Sequence, residues 1–395
     1  MTTRRTAIAG GIGAALLAAL GYRAWDRGAF SSGKGDAYAP WQEWRGHAGE
    51  GVRRPLHAAI LAANAHNSQP WLFAPSENAI TVYADRRRNL GAFDPFRREM
   101  HLSLGCAVEN LVIAAGALGF SAQIVPEQGE LTLSPSPDPV PAAHIVFSPG
   151  RYRFRALHDF VPLRHTNRGP YDPQRPISAE ALHRLIDFGT GAETRVVCFS
   201  DAKARAELAA LIVEATQRII RDEDMSEDSA RWFRTGHREI LAHRDGVTTD
   251  TAGLSPAMAV AAKLLPDQDA RSADKYWLAA TRDVQAPSAA AFGMVLVMNR
   301  LDMAGAIAAG RAWQRMHLVA TANGYAAQPL NQPVEMADHD RALGNPDSFG
   351  RALREISGVQ DWEAAFVFRL GYPERPALPS PRRPLNEVIR QTGLA

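Results

Sequence analysis

Residues 64 to 69 read NAHNSQ, with three side-chain amides (Asn64, Asn67, Gln69) and a hydroxyl (Ser68) in six positions, closed by Pro70 and Trp71. Neutral amides donate and accept hydrogen bonds without fixing a charge, which suits a ligand edged with carbonyls and ring nitrogens. Pro70 stiffens the turn that follows, and Trp71 reads as core packing. Farther along, LRHTNR places Arg164, His165, Thr166 and Arg168 together. Two guanidiniums and a hydroxyl within five residues can cradle a phosphate through charge-assisted bonds. A solvated basic loop is the other reading of that stretch.

Other chemistries find no footing. There are only two cysteines, Cys106 and Cys198, and no C-x-x-C, H-E-x-x-H or G-x-S-x-G pattern. A disulfide framework, structural zinc and a serine nucleophile elbow are therefore not expected. His237 and His243 are six apart and do not share a helical face. The net charge of +2 over 395 residues gives no electrostatic reason to expect nucleic acid. Apolar residues are 46% and charged residues 22%, enough for a large core.

The elements that must position these groups repeat within the chain. LGCAVENLVIAAGALGFSAQ (104–123) matches AGRAWQRMHLVATANGYAAQ (309–328) at a constant offset of 205. Gly105, Ala107, Ala115, Ala117, Gly119, Ala122 and Gln123 recur as Gly310, Ala312, Ala320, Ala322, Gly324, Ala327 and Gln328. Each stretch reads as a long apolar helix ending at glycine. Strand-like segments follow at 142–150 and 364–373, with further candidates at 79–85 and 193–200. Two α+β halves result, joined near the proline-rich 134–141, and a repeat of this kind suggests a fused dimer with any interface site between the halves. The halves differ in what they carry: the first has the amide run, the second the arginine cluster.

The N-terminus opens with Arg4 and Arg5, followed by an uncharged run from Thr6 to Tyr22. That run is shorter than the ~20 apolar residues of a spanning helix and fits a basic and then apolar export signal of twin-arginine type. Ala7 stands where such signals carry a bulkier residue. Residues 1–30 are thus expected to be a signal or anchor, with export or membrane attachment in view and a cytoplasmic location as the alternative. Residues 31–50 are expected to be a linker.

The complementary motifs resemble those of the nitroreductase superfamily of FMN-dependent flavoproteins, closest to its fused, Acg-type branch. ANAHNSQPW (63–71) is similar to the segment that lies against the flavin and ribityl chain, although Ala63 and Asn64 replace the usual Pro-Ser. RHTNR (164–168) is similar to the phosphate-binding segment of the other subunit. The resemblance implies an α+β fold of two tandem halves, 51–152 and 153–395, forming a monomeric pseudo-dimer. Its mixed, mainly antiparallel sheets would pack on long central helices. It implies one FMN held by Asn64, Asn67, Ser68, Gln69, Arg164, His165, Thr166 and Arg168. Backbone N–H groups of Asn331 and Gln332 would face the flavin, and Arg383, or else its neighbour Arg382, would complete the phosphate site. An insertion at about 225–275, without a partner in the first half, would act as a lid. The implied activity passes electrons from NAD(P)H or another donor to a nitro compound, quinone or similar small acceptor, with no catalytic side chain required. Flavin storage without turnover is the alternative.

Overall fold

The computed structural model describes residues 18–47, 49–134, 136–265 and 269–390. Most of the expected signal, residues 1–17, lies outside the described residues.

Five elements build each half. In the first they are β1 (Trp71–Pro75), β2 (Ala79–Ala84), α1 (Arg98–Ala117), β3 (Phe120–Pro126) and β4 (Val140–Pro149). The sheet runs β1-β2-β4-β3, antiparallel throughout. In the second they are β5 (Arg195–Phe199), β6 (Ala291–Val297), α2 (Met303–Ala322), β7 (Ala326–Pro329) and β8 (Glu363–Gly371). This sheet runs β5-β6-β8-β7, again antiparallel. The two halves therefore share one topology as well as one sequence repeat. Both central helices stop where glycine takes a left-handed conformation, Gly119 at φ 87° and Gly324 at φ 75°, which other L-residues adopt only at a cost.

The halves meet where α1 crosses α2 at the equivalent glycines. A Cβ on Gly310 would overlap the Leu102 carbonyl oxygen and lie 3.0 Å from the Gly105 Cα, and one on Gly105 would overlap the Ile307 carbonyl. Backbone rests on backbone, so only glycine fits. Polar contacts lock the crossing: Gln314 Nε2 donates to Asn110 Oδ1 at 2.7 Å, and Glu109 accepts from Arg311 at 3.0 Å and Arg315 at 2.6 Å. Although α1 is long and apolar enough to cross a membrane, nearly all of it is buried inside the protein.

Two boundary expectations are corrected. The supposed linker is packed: Tyr38 and Trp41 are buried, and Trp41 Nε1 donates to the Ser380 carbonyl at 2.8 Å. Large rings bury apolar area that a solvated linker would leave wet. The segment without a first-half counterpart is longer than 225–275, because the chain from 200 to 290 lies between adjacent strands β5 and β6. It contains α-helices of its own, one of which, Ala202–Ile219, is capped by Asp201.

Candidate functional site

A cavity of about 780 Å³ lies between the halves, within the size range of small-molecule sites. Asn64, His66, Phe93 and Glu99 line it from the first half. Thr166, Arg168, Trp313, Gln332, Glu335 and Phe366 line it from the second, and residues between 226 and 280 close another side.

Arg168 is the cation that the sequence pattern and the cavity share. Its Nη1 donates to the Thr251 carbonyl at 3.1 Å. No carboxylate pairs with it among the described residues. Burial lowers its pKa to about 10. A guanidinium drawn partly out of water without an acidic partner is costly, and half-buried Arg168 lines a cavity able to hold an anion. Thr166 lines the same cavity.

The amide run is used differently from expectation. His66, Asn67 and Gln69 have φ of 49°, 54° and 50°, a left-handed region that Asn and His visit more readily than most residues. Each such residue costs on the order of 1–2 kcal/mol, so the loop persists only if its side chains hold it. They do. Asn67 Nδ2 donates to the carbonyls of Gly246 (3.0 Å) and Pro381 (2.9 Å), and Asn67 Oδ1 accepts from Arg382. Gln69 Nε2 donates to the Arg244 carbonyl at 2.8 Å, and its Oε1 accepts from the Arg383 N–H at 2.8 Å. Ser68 is buried, with its carbonyl bonded to Arg88. Asn67, Ser68 and Gln69 do not line the cavity, and the two amides tie the loop to residues 244–246 and 381–383. Asn64 does line it, but its Oδ1 accepts from the Gln69 N–H (2.8 Å) and its Nδ2 donates to the Ala62 carbonyl (3.1 Å).

The strained loop turns His66 into the cavity, a residue that attention to amides missed. Its Nε2 is 2.9 Å from Ser229 Oγ, and its ring meets Phe93 edge-on. Burial, then Arg168 and Arg231, lower its pKa to about 3, so the ring is neutral.

Arg164, His165 and Arg383 also stand outside the cavity. Arg164 Nη2 donates to the Leu61 carbonyl at 3.0 Å, and Arg382 Nη2 to the Ala62 carbonyl at 3.2 Å. These guanidiniums close the turn leading into the amide run. His165 packs edge-on against Trp41, and burial followed by Arg164 and Arg382 lowers its pKa to about 3. Of the two arginines near the C-terminus, Arg382 is the buried one; Arg383 Nη2 reaches the Glu387 carbonyl at 2.9 Å.

Asn331 and Gln332 line the cavity at the start of α3 (Gln332–Ala342). The Gln332 N–H opens the helix and has no intrahelical acceptor. The Asn331 side chain is spent on protein contacts, its Oδ1 accepting from the Val367 N–H at 2.9 Å and its Nδ2 donating to Glu99. One turn on, Glu335 lines the cavity with its Oε2 buried and unbonded, as is Gln332 Oε1. Burial, then Glu99, push the Glu335 carboxyl well above its ordinary range. Sequence spacing from Asn331 could have flagged Glu335, but the Glu99 carboxylate that raises its pKa comes from the other half. Among the described residues no cluster of His, Cys, Asp and Glu is arranged to hold a metal.

No family model matches the chain. Curated relatives do. The chain is 25% identical over 350 residues to a Mycobacterium tuberculosis protein named as an NAD(P)H nitroreductase, Rv3131, covering 86% of this chain and 91% of that one. It is 26% identical over 360 residues to the uncharacterized Rv3127 of the same organism, covering 86% and 94%. It is 31% identical over 125 residues to the M. tuberculosis protein named acg, 30% of this chain and 35% of the other. Among solved structures, the FMN-dependent nitroreductase NfnB of Mycobacterium smegmatis overlays 60% of this chain and 98% of its own at 17% identity. Its TM-score is 0.38, a fit too loose to bear on fold or site. Over nearly its full length the chain is thus similar to mycobacterial chains, one of them named as an NAD(P)H nitroreductase, and over a shorter stretch it is similar to acg.

Proposed function

We propose that the chain binds one FMN in the cavity between its halves and works as an oxidoreductase. Electrons would pass from a reduced nicotinamide to a nitro compound, quinone or similar small acceptor. The observation that carries this is Arg168, a half-buried guanidinium with no acidic partner among the described residues, beside Thr166 at the cavity wall. The residues present fit the group. Arg168 and Thr166 supply phosphate donors, Trp313 and Phe366 offer apolar rings, and the Gln332 N–H and side chain offer polar contacts. The name of the relative Rv3131 supports the activity class and the nicotinamide donor.

Bound FMN would supply the two-electron chemistry. The chain would do the rest. Arg168 would neutralise the phosphate, a contact worth roughly 1.5–3 kcal/mol. Glu335 brings to the cavity wall a carboxyl whose hold on its proton is strengthened by burial and by Glu99, and neutral His66 adds no charge there. Residues between 226 and 280 close one side of the cavity. Because one chain supplies both faces of the cavity, a monomer suffices, and the N-terminal Arg4–Arg5 segment points to export.

The second reading is flavin sequestration, in which the residues between 226 and 280 would narrow the approach of a donor on their side of the cavity. Absorbance of purified protein and anaerobic addition of NADH and NADPH separate the two. Yellow protein that bleaches supports the enzyme, and yellow protein that never bleaches supports storage. Colourless protein that takes up no added FMN overturns both.

A further inference from the structure

The cavity has a mouth, and the residues around it are apolar. Met258, Leu265 and Tyr276 line the cavity yet are 56%, 56% and 41% exposed, so they stand where it meets the surroundings. A neighbouring segment extends this face. The chain is helical from 18 to 26, and Arg23 Nε donates to the Leu264 carbonyl at 2.8 Å, pinning that helix to the rim. Lys263 Nζ donates to the Gly28 carbonyl at 3.1 Å and fixes the turn that follows. Leu20, Trp25 and Phe30 on this segment are exposed, Phe30 by 81%. Large apolar side chains gathered in this way mark an interaction surface.

We propose that this face rests on a lipid bilayer, so that the cavity mouth opens against the membrane and fills with an apolar ligand dissolved in it. Two observations select lipid as the occupant. The pinned helix continues directly from a sequence that is uncharged back to Thr6, with Arg4 and Arg5 beyond it. A segment of that composition has its own affinity for an apolar phase. The exposed side chains also include Trp25 and Tyr276, aromatic types enriched at membrane–water interfaces. The surface and the segment that would carry it to a membrane thus lie at one rim.

The test uses the full chain and phosphatidylcholine vesicles. Met258→Cys and Leu265→Cys variants are labelled with an environment-sensitive fluorophore. Leu343→Cys is the control, at a position 62% exposed and not part of the rim. The native cysteines, one buried and one half-buried, are checked with the unsubstituted chain as a labelling blank. The expected result is a blue shift at 258 and 265 on adding vesicles, retained at high salt, and no shift at 343. Absence of a shift at the rim, or an equal shift at 343, would overturn the proposal. Insertion seen only with anionic vesicles and abolished by salt would also overturn it, since apolar burial is not screened. The readout does not depend on flavin, so colourless protein can still pass this test and yellow protein can fail it.

Discussion

Gly310→Ala tests the backbone contact that joins the halves. The added Cβ would overlap the Leu102 carbonyl oxygen, sit 2.8 Å from the Leu102 carbonyl carbon and lie 3.0 Å from the Gly105 Cα. All three are backbone atoms of α1, so no side chain can swing aside and the helices must part. Overpacking of this kind costs about 3 kcal/mol at the upper end of the usual range. The better helix propensity of alanine returns about 1 kcal/mol, leaving a net loss of about 2 kcal/mol. Gly105→Ala should cost a similar amount, and the double variant less than the sum, because helices already parted accommodate the second methyl. Gly21→Ala is the control: nothing lies within 4 Å of its Cβ position, so only the propensity gain remains. Urea unfolding followed by circular dichroism measures the differences, and FMN affinity should fall with stability because the cavity lies between the same halves. Wild-type stability in Gly310→Ala would refute the backbone-on-backbone crossing.

Arg168→Ala should weaken FMN binding by about 1.5–3 kcal/mol while leaving riboflavin binding nearly unchanged; equal losses in titrations of both ligands would remove Arg168 from the phosphate. Asn67→Ala strips partners from the Gly246 and Pro381 carbonyls and from Arg382. It should destabilise the protein by about 3 kcal/mol, with earlier proteolysis beyond 380, and an effect on flavin affinity alone would contradict the clamp. Glu335→Gln should gain on wild type as pH rises. The folded carboxyl is raised above its ordinary 4.5, so the folded state binds the proton more tightly. That contribution is complete below the ordinary value and is lost as pH climbs toward the raised one. Urea midpoints across pH 4 to 9 that run parallel for the two proteins would show that Glu335 is not protonated in the fold.

The sequence by itself determined the duplicated plan. The offset of 205 pairs Gly105 with Gly310, and the structure puts that pair at the crossing of the two halves. Strands at 79–84, 140–149, 195–199 and 363–371 were legible because β-branched and apolar runs state their own periodicity. β1, β3, β6 and β7 were not: β1 follows directly on the amide run, β3 and β7 each follow a helix-ending glycine, and β6 is buried on both faces and so shows no alternation. Of the residues proposed for the site, Asn64, Thr166, Arg168, Asn331 and Gln332 line the cavity. Asn67, Ser68, Gln69, Arg164 and His165 do not, although they come from the same short motifs, and neither does Arg383. Composition names the groups in a motif, and backbone conformation decides which way each points. Left-handed residues at His66, Asn67 and Gln69 turn the histidine inward and the two amides toward residues 244–246 and 381–383. Those acceptors lie far along the chain, as does the Glu99 that meets Asn331. Their positions follow from how the halves and the 200–290 segment pack, which no local stretch of sequence encodes.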